Sequence, residues 1–254
     1  MQVSKVNLVK VRDGHQEVDE DYVAVEEPLD ITICNQECRT FAIVMRTPGN
    51  DQELSLGFLY SEGVIDSLDD VIKVKQELNR IEIYLRDVKK IESRQIVVNS
   101  SCGVCGRALL YTLDILSTST TVSRNVIVSL PDKLREKQNV FNVTGGLHAA
   151  GLFTRDGELQ FLFEDVGRHN AVDKIVGKLI MERKLPASSS ILQVSGRLGY
   201  EIVSKAIMAG IPVISGISAP TSYAVRIAES SGATLIGFVR GKSFNVYSHP
   251  ERIS

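Results

Sequence analysis

Long apolar runs are missing from this chain. No stretch approaches the roughly 18 consecutive hydrophobic residues that a membrane span needs. The N-terminus, MQVSKVNLVKVRDG, has no apolar segment of the kind that marks a chain for export. A soluble, cytoplasmic protein is therefore the expectation. Neither sign of charge dominates: 29 Lys+Arg against 31 Asp+Glu leave a net −2, too little basic excess for a general nucleic-acid coat. Cysteine is scarce, with only Cys34, Cys38, Cys102 and Cys105. A chain of 254 residues can bury enough surface to be stable without disulfides, so these four read as free, metal-bound or catalytic rather than stapled. No low-complexity segment, Walker loop or G-x-G-x-x-G after a strand occurs. The zinc-deaminase pattern is absent too: the residue two after His148 is Ala150 rather than Glu, and neither Cys102 nor Cys105 follows a proline.

Hydrophobic residues make up 43% and charged residues 24%, the balance of a folded chain with room for one large domain or one domain with an appendage. Charge is unevenly placed. Residues 1–30 hold three basic and eight acidic side chains. Residues 190–254 hold Arg197, Lys205, Arg226, Arg240, Lys242 and Arg252 against Glu201, Glu229 and Glu251, so an anionic ligand would be drawn to the C-terminal part.

The first third reads as β-rich. Val3–Val11 and Arg80–Leu85 alternate, and Ile31–Cys34 and Phe41–Met45 are short apolar runs. Asn50 and Asp51 can cap a helix from about Glu53 to Tyr60, ending near Gly63. Gln95–Val98 reads as a strand running into Cys-Gly-Val-Cys-Gly. Pro131 is placed to start a helix through Leu134 to Val140. Asp156-Gly157 is a hairpin turn between Gly151–Thr154 and Glu158–Phe163. Helical spacing continues over Asn170–Arg183.

The last third alternates strand and helix: Ser190–Val194, Leu198–Ala209, Ile211–Ile214, Ser222–Ser230 and Thr234–Val239, with Gly210 and Gly232 as helix stops. This β-α-β-α-β order predicts a parallel core. Three loops then leave the carboxyl ends of its strands, carrying Ser195-Gly196-Arg197, Ser215–Thr221 and Arg240-Gly241-Lys242-Ser243. Ligands of open α/β sheets bind at that edge, where helix N-termini offer free N–H groups to anions. Small residues could serve only for tight turns there; the cations Arg197, Arg240 and Lys242 tilt the reading towards an anion site.

Cys102-Gly103-Val104-Cys105-Gly106 is the sharpest local signal. Two thiols at this spacing can chelate a metal, cycle as a disulfide or pass sulfur from one to the other, and all three need a thiolate. A helix starting near Arg107 would lower a thiol pKa through its dipole and the adjacent cation. Cys34 and Cys38 could complete a zinc site of four thiolates, and strand–CxxC–helix is also the thioredoxin-like order. Two small apolar thiols in a core fit poorly with the flanking glycines. His148 lies in the glycine-rich stretch Asn142–Gly151, and His169 follows Glu164-Asp165-Val166-Gly167-Arg168. Asp173 is one helical turn beyond His169 and could orient its ring, although single histidines of this kind more often serve structure.

Taken together these stretches resemble the formate dehydrogenase accessory sulfurtransferase family (FdhD). The resemblance rests on Arg46-Thr47-Pro48-Gly49 leading to Leu56-Gly57-Phe58-Leu59-Tyr60-Ser61-Glu62-Gly63, on Cys102-Gly103-Val104-Cys105-Gly106, and on Thr144-Gly145-Gly146-Leu147-His148-Ala149-Ala150. It continues through Glu164–Lys174, Ser195-Gly196-Arg197, Gly216–Ser222 and Gly237-Phe238-Val239-Arg240-Gly241-Lys242, and so runs from about residue 46 to the C-terminus. Cys34 and Cys38 depart from the family pattern. The resemblance implies a cytidine-deaminase-like α/β fold, a mixed sheet with flanking helices, without the deaminase zinc. It divides the chain into a β-rich part over residues 1–99 and an α/β sulfur-transfer and cofactor-binding domain over 100–254. It implies a cytoplasmic, homodimeric sulfur carrier that takes persulfide sulfur from a cysteine desulfurase and passes it to the molybdenum or tungsten bis-molybdopterin guanine dinucleotide before insertion into formate dehydrogenase. On that reading Cys102 carries the persulfide and Cys105 relays or protects it. Phe238, Val239, Arg240, Gly241, Lys242 and Ser243 contact the cofactor, and no resident metal is held. A zinc-binding structural or nucleotide-binding module and a dithiol redox enzyme are the alternatives.

Overall fold

The structure, a computed structural model, describes residues 1–87, 116 and 119–254. Among these, the N-terminal strands β1 (Val3–Arg12) and β2 (His15–Ala24) pair only with each other, as a long antiparallel hairpin. A four-stranded sheet follows, built from β3 (Glu27–Cys34), β4 (Cys38–Arg46), β5 (Val71–Glu77) and β6 (Arg80–Leu85) in the order β4-β3-β6-β5. Its apolar face, Leu29, Ile31, Ile33, Ile81 and Ile83, packs on α1 (Asp51–Ser61) through Leu54, Phe58 and Leu59.

The larger sheet has six strands. They are β7 (His148–Thr154), β8 (Leu159–Asp165), β9 (Ser190–Val194), β10 (Val213–Gly216), β11 (Thr234–Arg240) and β12 (Ser243–Ser248), in the order β12-β11-β10-β9-β7-β8. β9, β10 and β11 are parallel and the remaining pairs antiparallel. β9 and β10 are buried throughout, as strands covered on both faces must be. Successive side chains point to opposite layers. Ala150, Leu152, Leu192, Val194 and Ile214 face α4 (Arg168–Met181), α5 (Tyr200–Met208) and α6 (Ser222–Ser231). Ala149, Phe153, Ile191, Val213 and Ile236 face Ile127, Leu130 and Leu134 of α2 (Arg124–Glu136). This is the mixed α/β sheet with flanking helices, preceded by strands, that the sequence led us to expect. The expected boundary at 99/100 and the strand at Gln95–Val98 lie outside the described residues.

The two parts meet where α1 lies on α4. A Cβ on Gly57 would stand 1.9 Å from the Asp173 carbonyl oxygen, and one on Gly177 would stand 1.8 Å from that of Glu53. Backbone touches backbone at both points, and only glycine fits.

Three local expectations need correction. Pro131 does not start a helix; it lies inside α2, which Ser123 opens by accepting the Val126 N–H at 3.3 Å. The buried stripe Ile127, Leu130 and Leu134 outweighs the loss of one proline N–H, and the chain breaks before α3 (Asn139–Thr144). Asn50 holds the N-cap position of α1 without a side-chain cap bond, and the Asp51 carboxylate turns instead to Arg46. Cys34 and Cys38 are not free: they sit opposite one another in the β3–β4 register with Cα atoms 4.1 Å apart and form a disulfide. That pairing also removes them from a four-thiolate site with Cys102 and Cys105.

Candidate functional site

Because β9, β10 and β11 are parallel, their carboxyl ends lie on one side, and the three loops leaving them are stitched together there. Leu198 N–H donates to the Ala219 carbonyl (3.1 Å) and Thr221 N–H to that of Leu198 (3.0 Å). Phe238 N–H donates to Ser218 O (3.2 Å) and Arg240 Nε to Ile217 O (3.1 Å). β7 runs against β9, which brings its first residue, His148, to the same edge. Ala149 N–H donates to Ser195 Oγ at 2.8 Å, and Ser195 N–H returns a bond to Ala149 O at 2.9 Å. β8 ends there as well, with Asp165 opposite His148, and Arg168 and His169 open α4. A Cβ on Gly196 would lie 3.5 Å from His148 Nδ1 and 3.7 Å from Arg168 Cδ, so the Ser195–Arg197 loop packs against both.

The outer surface of this edge is basic. Arg197, Arg240 and Lys242 are exposed. Phe238 holds a left-handed backbone (φ 54°) and shows 38% of its surface, with the Arg240 guanidinium 5.9 Å from its ring centroid. Gly241, Lys242 and Ser243 lie in the open at the β11–β12 turn. Val239 differs from its neighbours: its side chain is fully buried in the α2 layer, so only its backbone can meet a ligand. The start of α5 is tied to that of α6 by an edge-to-face pair, Tyr200 and Tyr223, with centroids 5.4 Å apart.

Beneath the edge lies a chain of buried charges. Lys174 Nζ, fully buried, bonds Asp165 Oδ2 at 2.7 Å, the Glu164 carbonyl at 3.2 Å and the Thr47 carbonyl at 3.4 Å. Asp165 Oδ1 accepts from the Gly167 N–H and from Asn170 Nδ2, both at 2.8 Å, and Thr47 Oγ1 accepts the Val166 N–H. The Glu164 carboxylate accepts the N–H groups of Val140 and Phe141 and seats the start of α3. These bonds fix the turn that presents Arg168 and His169.

Asp173 does not orient His169. Its carboxylate takes Lys205 Nζ at 2.6 Å and Ser61 Oγ at 3.0 Å, joining α4 to α5 and α1. Burial pushes the Asp173 pKa up, against the pull of Lys205. The His169 ring faces Glu201 instead, with Nε2 3.8 Å from Oε2. Burial, with Lys205, Arg168 and His148 adding repulsion, lowers the His169 pKa to about 3 and keeps the ring neutral. Burial, then Arg168, lowers that of His148. His169 Nε2 and Ser215 Oγ are buried without a hydrogen-bond partner among the described residues.

Sequence reading brought the three loops to this edge and singled out both histidines without placing them there; it missed Thr47, Ser61, Glu201 and Lys205. The available signal was the pair Glu201 and Lys205, one helical turn apart on an otherwise apolar helix, answering His169 and Asp173 at the same spacing. Cys102 and Cys105 lie outside the described residues.

The fold and the edge define a class of protein first: a mixed α/β domain with an open, basic, loop-built ligand edge and a β-rich N-terminal part. The model of the FdhD/NarQ family matches residues 24–254, and the chain belongs to that family. A protein of Sulfurisphaera tokodaii named "Sulfur carrier protein FdhD" is 63% identical over 255 residues, covering both chains completely. The protein of the same name from Saccharolobus solfataricus is 63% identical over 254 residues, covering 100% of this chain and 99% of its own. A crystal structure described as that of a formate dehydrogenase accessory protein from Desulfotalea psychrophila superposes with a TM-score of 0.83 at 27% identity, covering 100% of each chain.

Proposed function

We propose that this protein is a sulfur carrier required for formate dehydrogenase activity. The observation that supports the reading is the convergence of five segments on one basic edge, in a chain related along its whole length to proteins named sulfur carriers. In the proposed reaction the Cys102 thiolate attacks the outer sulfur of a persulfide on a cysteine desulfurase. A new S–S bond forms at Cys102, the donor's S–S bond breaks, and the donor cysteine leaves as a thiolate. Cys105 then relays or shields the loaded sulfur. The substrate that receives the sulfur is the molybdenum or tungsten bis-molybdopterin guanine dinucleotide, before its insertion into formate dehydrogenase. Its phosphates suit the exposed Arg197, Arg240 and Lys242, and a guanine can lie on the exposed Phe238 ring. Anchoring the substrate beside the loaded cysteine raises its effective concentration. The reading places the protein in the cytoplasm as a homodimer that meets the desulfurase and formate dehydrogenase in turn.

The test is maturation of formate dehydrogenase in cells whose own carrier gene is deleted. The wild-type chain restores formate oxidation and Cys102→Ser does not. Full restoration by Cys102→Ser contradicts the assignment of the carrier cysteine.

A further inference from the structure

The candidate edge makes no use of a second group of sulfur and oxygen donors, at the tip of the four-stranded sheet. Cys34 ends β3, Cys38 begins β4 and Glu82 projects from β6, the strand paired in parallel with β3. The two sulfurs and a Glu82 carboxylate oxygen all lie within 4.8 Å of one another. A disulfide that only staples the hairpin needs two of these groups. The third comes from another strand, and its orientation is fixed. Tyr84 O–H donates to Glu82 Oε2 at 2.9 Å and itself accepts from Lys75 Nζ at 2.8 Å. Arg80 Nη2 stands 3.5 Å from Oε1. Hydroxyl-to-carboxylate contacts of this kind aim metal ligands. Cys34 is fully buried, Cys38 is exposed and Glu82 is half-buried, so the group opens to solvent on one side.

The geometry points to a redox-gated metal site: once the Cys34–Cys38 bond is reduced, the two thiolates and Glu82 bind one zinc-class divalent ion. The steps balance with a thiol or phosphine as reductant. Two electrons from the reductant break the S–S bond, the two sulfurs take up protons as thiols, and the ion then displaces those two protons. Two sulfurs and one oxygen suit a borderline-soft ion, and three protein donors leave a fourth tetrahedral position open to water. The disulfide and the ion compete for the same sulfurs, so oxidation empties the site and the bound ion protects the thiols from oxidation.

The probe is cobalt(II), titrated into the full chain carrying Cys102→Ser and Cys105→Ser, so that Cys34 and Cys38 are its only thiols. After phosphine reduction we expect one cobalt per chain with a thiolate-to-cobalt charge-transfer band, and neither in the oxidised chain. Zinc should displace the cobalt and bleach the band. Tyr84→Phe should weaken binding about ten- to a hundredfold, and Glu82→Gln, which removes the ligand itself, should weaken it by at least as much. Circular dichroism of each variant reports its fold. No band in the reduced chain overturns the proposal, as does a band that survives Cys34→Ser. Binding undiminished by Glu82→Gln overturns the three-donor site.

Discussion

His169 shows how the surroundings decide what a single side chain can do. It opens α4 with its ring largely buried, Nε2 3.8 Å from Glu201 Oε2 and under the repulsion of Lys205 and Arg168. In the unfolded chain the ring titrates near 6.5, and in the fold near 3. Between those values the unfolded state binds more protons than the native state. The neutral ring is therefore fully tolerated above about pH 6.5, and stability falls as the pH drops towards 3, by about 1.4 kcal/mol per unit for this one group. His169→Gln keeps a polar side chain and removes the titration. The stability difference between wild type and variant, followed by chemical denaturation from pH 7 to pH 5, should shift steadily against the wild type as the pH falls. A difference independent of pH would mean that the ring titrates in the fold as it does in the unfolded chain. Asp173, one turn away, appeared from spacing alone to be the natural partner of His169. Tertiary packing offered it Lys205 and Ser61 instead, a choice that i, i+4 spacing cannot reveal.

At the scale of the element, the β11–β12 hairpin carries the test of the anion edge. Its turn exposes Arg240 and Lys242 beside the Ser215–Thr221 loop, to which Arg240 Nε is bonded. A charged hydrogen bond to phosphate is worth roughly 1.5–3 kcal/mol, so Arg240→Ala should weaken binding of GDP, one half of the proposed substrate, by about ten- to a hundredfold. Calorimetric titration measures this directly. Undiminished GDP binding by Arg240→Ala/Lys242→Ala would remove the phosphate role from the turn. Elements differ in how plainly they can be read. β9, β10 and β11 are apolar runs punctuated by glycine and charge, and β6 alternates cleanly, so their positions follow from pattern. β2 is hidden because Glu17, Asp19, Glu20 and Asp21 depress its strand character. It forms because Asp13-Gly14 turns the chain back, both with positive φ, and Lys5 and Lys10 pair with Glu20 and Asp19. Pro131 misled because proline marks helix starts more often than helix interiors.

Over the whole molecule, the sequence separates what is on the surface of the site from what holds it up. The glycine-bracketed histidines and the cations of the C-terminal loops stand out because their chemistry is local; the dithiol motif stands out in the sequence for the same reason and lies outside the described residues. The supports do not, because they join residues distant in the chain: Thr47 to Val166, Ser61 to Asp173, and Gly57 to the backbone of α4. These contacts lock the N-terminal sheet, carried on α1, to the helix that presents Arg168 and His169. The β1–β2 hairpin lies almost entirely outside that region, and its exposed Val9, Val11 and Val18 contribute nothing to either core. The measurement that bears most directly on sulfur carriage is mass spectrometry of the intact chain, and of its Cys102 peptide, after incubation with a cysteine desulfurase and cysteine. The expected result is a gain of one sulfur atom on Cys102, reversed by a thiol reductant and absent from Cys102→Ser. A wild-type chain that gains no sulfur, or that gains it equally when Cys102 is replaced, would contradict the account.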